Sequence, residues 1–535
     1  DVRLELVDAS AGANCATYGL IQNLGTLTFM AADLGRKTLA GISEPDVWRN
    51  ARIRMRYPAT GAPTITACST DNFAIRPASF GGVTASDASS ATAGTTRALA
   101  NIAVAGGNVH KAGQPFSIAA TARNAAGVTT SNYAGSPAAS LTACVLPAAG
   151  CTLGGVSTGT WTAVSGTVTT SNASYSEVGA FAMKLADASF AAVDAADGST
   201  VAERTIESAA VNVGRFVPDH FDLAPASVPV FKTFNDTTCA TRSFTYAGQP
   251  FGYLTLPQAT ITAKNAAGAT TLNYAGALWK LTPAGAVQSH TPVTGNLDIG
   301  LLGAPTVTAS GGGVGTLIAN AADEIAFVRT VPVAPFIADI SLTMNIQDIA
   351  EAAVSGNGTV DTLTPALFAN IAFDAGNRIR FGQLILSNAH GSELLGLPVP
   401  IETRYWNGSG FVLNADDHCT QLADANVALS NWQRDLNACN TSVTLFGRFN
   451  AGRGNLRLSA PGTGNTGSVD LVLQLGAVAG GSTCVGGAAA ASAAASKSWL
   501  QGRWSGPDYD DNPSARASFG LHRGSKPLIY LREMY

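Results

Sequence analysis

The chain has 535 residues, too many for one hydrophobic core, and at about 100–200 residues per domain it predicts three or four domains. Charged residues make up 13%, against ~25% in ordinary globular proteins, and 32 Lys and Arg face 36 Asp and Glu for a net charge of −4, both signs scattered along the chain. No basic stripe marks a nucleic-acid-binding surface, and no run of about 18 apolar residues is present to span a membrane as a helix.

The first element is VRLELVD, where Val2, Leu4 and Leu6 alternate with charged residues, the period-two signature of a strand. No charged leader followed by an apolar stretch precedes it, as expected of a mature chain or a piece of a longer precursor. ARIRMRY alternates in the same way. These strands place an N-terminal β module at residues 1–71, small for an independent sandwich. Its completion is expected from the following domain, from an upstream segment or from another subunit.

The next two modules announce themselves by repetition. TARNAAGVTTSNYAG (Thr121–Gly135) recurs as TAKNAAGATTLNYAG (Thr262–Gly276), with 12 of 15 positions identical. A match of that length in a charge-poor stretch marks a duplicated building unit. AGQPF at Ala112 recurs at Ala247, and NFAIRPASF (Asn72–Phe80) aligns with HFDLAPASV (His220–Val228). The repeats are therefore placed at 72–219 and 220–376. FSIAATA and ATITAK alternate as half-buried strands, and NAAG reads as a turn, because Asn and Gly tolerate positive φ. Tyr133 and Tyr274 are expected to plug their rings into each sandwich; a repeated ligand-binding loop is the alternative.

RIRFGQLIL opens the C-terminal β domain, 377–535, in which VDLVLQL is a further strand. Cys419–Trp432 is a candidate short helix, and the alanine tract near Ala488 a small-residue loop or short helix. Many short strands bounded by Gly, Pro, Asn and Ser predict an all-β chain of tandem Ig-like β-sandwiches forming an elongated rod.

Eight cysteines without a CxxC pair argue against zinc and thioredoxin-like sites and for four disulfides in an oxidising compartment. Proximity suggests Cys15–Cys68, Cys144–Cys151 and Cys419–Cys439, leaving Cys239 for Cys484. Six histidines are scattered singly, and neither HExxH, a GxSxG elbow nor a phosphate loop occurs. No catalytic residues are assigned and no enzymatic activity is expected. A secreted hydrolase would need a carboxylate pair that sequence cannot place. Two acidic clusters are calcium candidates, Asp508, Asp510, Asp511 and Asn512, which lack the EF-hand spacing, and Asp416 with Asp417; no other cofactor is expected. Trp406, Trp499 and Trp504 are candidates for stacking on sugars, with core packing as the ordinary alternative.

RFGQLILSNAHGSELLGLPVPIETRYWNGSGFV, APGTGNTGSVDLVL, PSARASFGLHRG and LIYLRE resemble the large C-terminal region of MshQ-type proteins, from the biogenesis cluster of the mannose-sensitive haemagglutinin (MSHA) type IV pilus. CSTDNFAIRPASF around Cys68 is similar to the same pattern. The resemblance implies an exported surface protein of a Gram-negative bacterium, associated with pili or adhesion and without catalytic residues. The expected role is structural or adhesive, with identical subunits, pilus components or glycans as partners. One assembly route is strand addition at an incomplete sandwich. Its candidates are Val2, Leu4 and Leu6 at one end and Leu528, Ile529, Tyr530 and Leu531 at the other, and a head-to-tail contact that does not close gives a fibre. A monomeric adhesin or glycan-binding module is the alternative.

Overall fold

The computed structural model describes residues 1–10, 12–87, 96–352, 354–356 and 358–520. The described chain is almost entirely β, in many separate sheets that form tandem sandwiches. The first sheet contains β1 (Val2–Asp8), β2 (Gly19–Leu27), β3 (Trp48–Tyr57), β4 (Ile65–Cys68) and β5 (Phe73–Ile75). In it β1 lies between β2 and β3, while β3 has β1 along one edge and β4 followed by β5 along the other. Val2, Leu4 and Leu6 therefore sit on a strand whose two edges are both paired. This corrects the strand-addition expectation at this end: β1 offers no free edge. Leu528, Ile529, Tyr530 and Leu531 lie outside the described residues. The sheet also takes in Phe73–Ile75, so the N-terminal module runs past the expected boundary at residue 71.

Ten strands build the first repeat: β6 (Ser79–Ser86), β7 (Asn108–Lys111), β8 (Phe116–Arg123), β9 (Ala138–Leu146), β10 (Val156–Ser157), β11 (Thr162–Val164), β12 (Thr167–Tyr175), β13 (Gly179–Asp187), β14 (Ile206–Glu207) and β15 (Val211–Val217). A front sheet runs β10–β12–β8–β6, with β11 also on β12. A rear sheet is centred on β13, which has β9 along one edge and β14 and β15 along the other. Alternation decides the core: Phe116, Ile118, Ala120 and Ala122 of β8 point inward against Phe181, Met183 and Leu185 of β13, all essentially inaccessible. Burying each large apolar side chain favours folding by roughly 1.5–3 kcal/mol.

The second repeat starts at once with β16 (His220–Pro225), joined to β15 only through Pro218 and Asp219. Its register corrects the alignment read from sequence. β6 pairs with β8 so that Ser79 faces Arg123, and β16 pairs with Gln258–Lys264 so that His220 faces Lys264. Arg123 and Lys264 are equivalent in the doublet, so PASF (Pro77–Phe80) matches PDHF (Pro218–Phe221). The stronger letter match of NFAIRPASF to HFDLAPASV is shifted out of register. The second repeat also carries a longer stretch between AGQPF and NAAG, and forms two strands there, Phe251–Thr255 and Gln258–Lys264, where the first repeat has β8 alone.

The C-terminal module combines a six-stranded sheet with two three-stranded ones. The candidate helix at Cys419–Trp432 is instead a short 3₁₀ turn, Asp424–Asn426, followed by the strand Val427–Arg434, because Val427 and Leu429 enter the core as an alternating pair. The alanine tract is also a strand: Ala488–Ala491 folds back on Ser482–Val485 through Gly486 and Gly487. Both glycines have positive φ, as a tight hairpin turn requires.

The disulfides are Cys15–Cys68, Cys144–Cys151, Cys239–Cys419 and Cys439–Cys484. The last two replace the expected Cys419–Cys439 and Cys239–Cys484. A disulfide needs its Cα atoms within about 7 Å, and tertiary packing brings the observed partners to 5.6 and 5.3 Å.

Candidate functional site

The described residues contain no group of three His, Cys, Asp or Glu side chains suited to a metal. Asp508, Asp510 and Asp511 are not drawn together as ligands. The Asp511 carboxylate instead accepts hydrogen bonds from the hydroxyl of Ser505 and the backbone N–H groups of Trp504 and Ser505, which hold it below the usual carboxylate range. Asn512 accepts the Leu475 N–H at 3.0 Å, and the Asp510 carbonyl accepts from Gln501 at 2.6 Å. The loop is a clasp on the C-terminal sheet. Trp499 packs against the C-terminal core, Trp406 stacks edge-on against Phe411, and Trp504 is half exposed.

The doublet is the most organised polar feature. Each NAAG turn closes on its own Asn: the Asn124 side chain accepts from the backbone of Ala126 and Val128, and Asn265 from Ala267 and Ala269. Gly127 and Gly268 occupy the left-handed region at φ 78° and 81°. Three residues after the turn's end, Thr130 and Thr271 hydrogen-bond back to the carbonyls of Ala122 and Ala263 at 3.2 Å. Tyr133 and Tyr274 then enter the core and donate their hydroxyls to Asp187 and Asp348, both at 2.7 Å. Burial, reinforced by the neighbouring carboxylate, pushes both phenols far above their ordinary range. Asp187 also accepts the N–H groups of Ser189 and Phe190, and Asp348 those of Ala350 and Glu351, so one carboxylate fixes both a tyrosine and a turn.

Between Thr and Tyr, the doublet presents its remaining residues to the preceding module. Asn132 exchanges two hydrogen bonds with the backbone of Val47, 3.0 Å to its N–H and 2.6 Å to its carbonyl, and Asp46 accepts the Ser131 N–H at 3.1 Å. One module later the same arrangement returns. Asn273 bridges Thr152 and Val178, and Glu177 accepts the N–H groups of Leu272 and Asn273 at 2.9 and 3.2 Å. Burial raises the Glu177 carboxyl, an effect partly offset by these N–H donors and that of Val178. Asp46-Val47 and Glu177-Val178 are thus equivalent clamps. Each Val also leaves its own module, Val47 packing in the first repeat's core and Val178 in the second's.

Further contacts bind the repeats together. Ser355–Gly356 of the second repeat adds a parallel strand to β7 of the first. The buried Arg215 on β15 ion-pairs with the buried Glu351, 1% and 3% exposed at their side chains.

The C-terminal module repeats this scaffold without its sequence. Gly166, Gly313 and Gly452 each accept, at their carbonyls, the N–H of Ala122, Ala263 and Thr403, at 2.9, 2.8 and 2.8 Å. Thr130, Thr271 and Asn414 each donate their N–H to those same strand residues. A Cβ on any of the three glycines would lie within 2.5 Å of the Thr130, Thr271 or Asn414 carbonyl oxygen, so the packing demands glycine. Counting onward, Asp416 stands where Asn132 and Asn273 stand, and Asp417 where Tyr133 and Tyr274 stand. Here the tyrosine comes from the preceding module: Tyr246 of the second repeat, fully buried, donates to Asp417 at 2.8 Å and accepts from Asn414 at 2.8 Å. Asp416 pairs with Arg380, Arg448 with Asp236 at 2.9 Å, and Cys239–Cys419 crosses the joint covalently. Arg329 of the second repeat donates to the carbonyls of Tyr509, Gly382 and Gln501.

Family models match this architecture. One described as DUF6701, third domain, covers residues 177–367, and one described as DUF6701, fourth domain, covers 380–534, together more than half of the chain. The chain belongs to the DUF6701 family. The DUF6701 third-domain match begins at Glu177 itself and so runs from the clamp across the joint into the second repeat. No curated protein matches the chain. A solved structure of FdeC, described as a broadly conserved Escherichia coli adhesin eliciting protection against urinary tract infections, is similar at 14% identity and a TM-score of 0.28, over 78% of this chain and 98% of that one.

The sequence pointed to the doublet and its two tyrosines, but not to Asp46, Glu177, Asp187 or Asp348. Their signal is faint: Asp46-Val47 and Glu177-Val178 are the only hint, and they sit far from the doublet in the chain.

Proposed function

We propose that the chain is an extracellular structural protein of a bacterial surface appendage, whose modules are locked in a fixed order to provide length and geometry rather than chemistry. The observation that carries this is the interlocking of neighbouring cores: Val47 completes the first repeat, Val178 the second, and Phe234, Phe244 and Tyr246 the C-terminal module. Independent binding domains on flexible linkers have no need of such joints. Four disulfides suit an oxidising, extracellular setting, and among the described residues no helix is long and apolar enough to cross a membrane. The setting in this reading is a Gram-negative surface and an MSHA-type pilus, with pilus components or identical subunits as partners, and the resemblance of the C-terminal strings to MshQ-type proteins is what supports it. Electron microscopy of the native protein released from cells tests the reading. Filaments with an axial repeat, or elongated particles of constant interdomain angle, support it; particles with freely varying angles overturn it.

The half-exposed Trp504 favours a second reading as an adhesin that contacts glycans. Loss of glycan-array binding in Trp504→Ala supports it, and an array with no binding to the parent protein removes it.

A further inference from the structure

A cleft of about 350 Å³ opens at the joint between the second repeat and the C-terminal module, beside the Cys239–Cys419 disulfide. Its volume falls in the range of small-molecule pockets, roughly 300–1,000 Å³. Asp236 and Glu324 stand on the second-repeat wall, and Lys497 and Trp499 on the C-terminal wall. Elsewhere around this joint opposite charges close on each other, Arg380 on Asp416 and Arg448 on Asp236. Across the cleft they do not. Lys497 makes no ion pair among the described residues; its ammonium lies 5.4 Å from the centre of the half-buried Trp499 ring. Burial holds its pKa below the ordinary lysine range, with Asp417 and Asp236 opposing. Glu324 accepts at one oxygen from the Asn235 amide at 2.7 Å, and its other oxygen has no partner among the described residues. The wall itself is strained. Phe234, Asn235 and Ser496 all line the cleft and take φ of 58°, 48° and 49°. Non-glycine residues rarely occupy this region, and such strain, where it persists, collects at active sites and ligand clamps.

We infer that the cleft binds a carboxylate-bearing sugar, a hexuronate or a sialic-type acid, with Lys497 on the carboxylate and Glu324 and Gln421 on the hydroxyls. The inventory of donors and acceptors selects this class. Lys497 only donates and needs an anionic acceptor. Asp236 and Glu324 only accept and need donors, while Gln421 and Ser496, both exposed, serve as either. A ligand rich in hydroxyl donors and carrying one anionic group meets all of them. A sulfate or phosphate ion would face two carboxylates with no donors to offer, and an apolar ligand would leave the charges unpaired. Phe234, Pro250 and Trp499 supply apolar contact for the C–H groups of a sugar ring. The inference rests on neither function proposed above and does not involve Trp504.

Saturation-transfer difference NMR on the 535-residue chain tests it. D-glucuronate, D-galacturonate and N-acetylneuraminate are titrated separately, with glucose, acetate and glycine as controls. At least one acidic sugar should saturate at least about tenfold more tightly than every control. Which sugar does so tells a uronate polymer from a sialylated source. Lys497→Gln should weaken that binding by about tenfold or more, through loss of a charge-assisted hydrogen bond. Gln421→Ala, at an exposed position that the fold does not need, should weaken it independently. No saturable signal from any of the three sugars overturns the inference. Equal binding of glucose, or of acetate or glycine, shows that the carboxylate or the sugar ring is not read and overturns it. Sugar binding unchanged in both variants places the site elsewhere and overturns it as well.

Discussion

The joint between the two repeats and the joint before the C-terminal module occupy the same scaffold positions, yet they are held by different chemistry. At the first, Asn273 and the N–H groups beside it meet the Glu177 carboxylate, Tyr274 stays in its own core, and the buried Arg215–Glu351 pair and one added strand reinforce the contact. At the second, Asp416 and Asp417 take the Asn and Tyr positions, the tyrosine arrives from the neighbouring module, and a disulfide closes the joint. The backbone frame of strand, turn and Gly-to-carbonyl contact is what all three modules share. Side chains at the joint can then be exchanged, provided each buried polar group keeps a partner.

The largest expected effect separates the covalent joint from the other. Cys239→Ser with Cys419→Ser releases a cross-link spanning 180 residues, and should cost about 4–5 kcal/mol. It should lower the C-terminal unfolding transition in calorimetry and leave the first repeat's unmoved. Arg215→Ala acts on the other joint. It strands a buried Glu351 and should cost about 3–5 kcal/mol, with Ser355–Gly356 losing hydrogen-exchange protection first. Parity of the two transitions in either variant would mean that the joints are one cooperative unit.

Smaller effects sharpen the comparison of the tyrosines. Tyr274→Phe and Tyr246→Phe each remove a hydrogen bond to a buried carboxylate, about 1.5–3 kcal/mol. Tyr246→Phe should also weaken docking of the C-terminal module, whereas Tyr274→Phe should act within the second repeat; limited proteolysis separates the two. The smallest effect is one of pH. Glu177 has its carboxyl raised by burial, so ionisation is harder folded than unfolded, and its contribution to stability is fullest in acid and declines as pH rises through the folded value. Asp187 has the opposite sign: burial raises it, but hydrogen bonds from Ser189 and Tyr133 outweigh that and lower it, so its contribution is lost as pH falls. Urea unfolding from neutral pH to near 4 checks the sign for Glu177, and its continuation to about pH 2–3 checks that for Asp187. Wild type should gain on Glu177→Gln as the pH falls, whereas the deficit of Asp187→Asn against wild type should narrow.

The sequence alone determined the fold class, the strands VRLELVD, FSIAATA, ATITAK and VDLVLQL, and the duplication, because period-two alternation and turn chemistry are local properties. It also marked Tyr133 and Tyr274, since a repeated aromatic in a charge-poor stretch has few roles except packing. It could not place Cys239 with Cys419, set PASF against PDHF, or reveal that Asp417 stands where the tyrosines stand. Nor could it tell that Val2, Leu4 and Leu6 lie on a strand paired along both edges. Each of these depends on which strands become neighbours, and strand neighbours are chosen by the burial of whole sheet faces, summed over residues far apart in the chain.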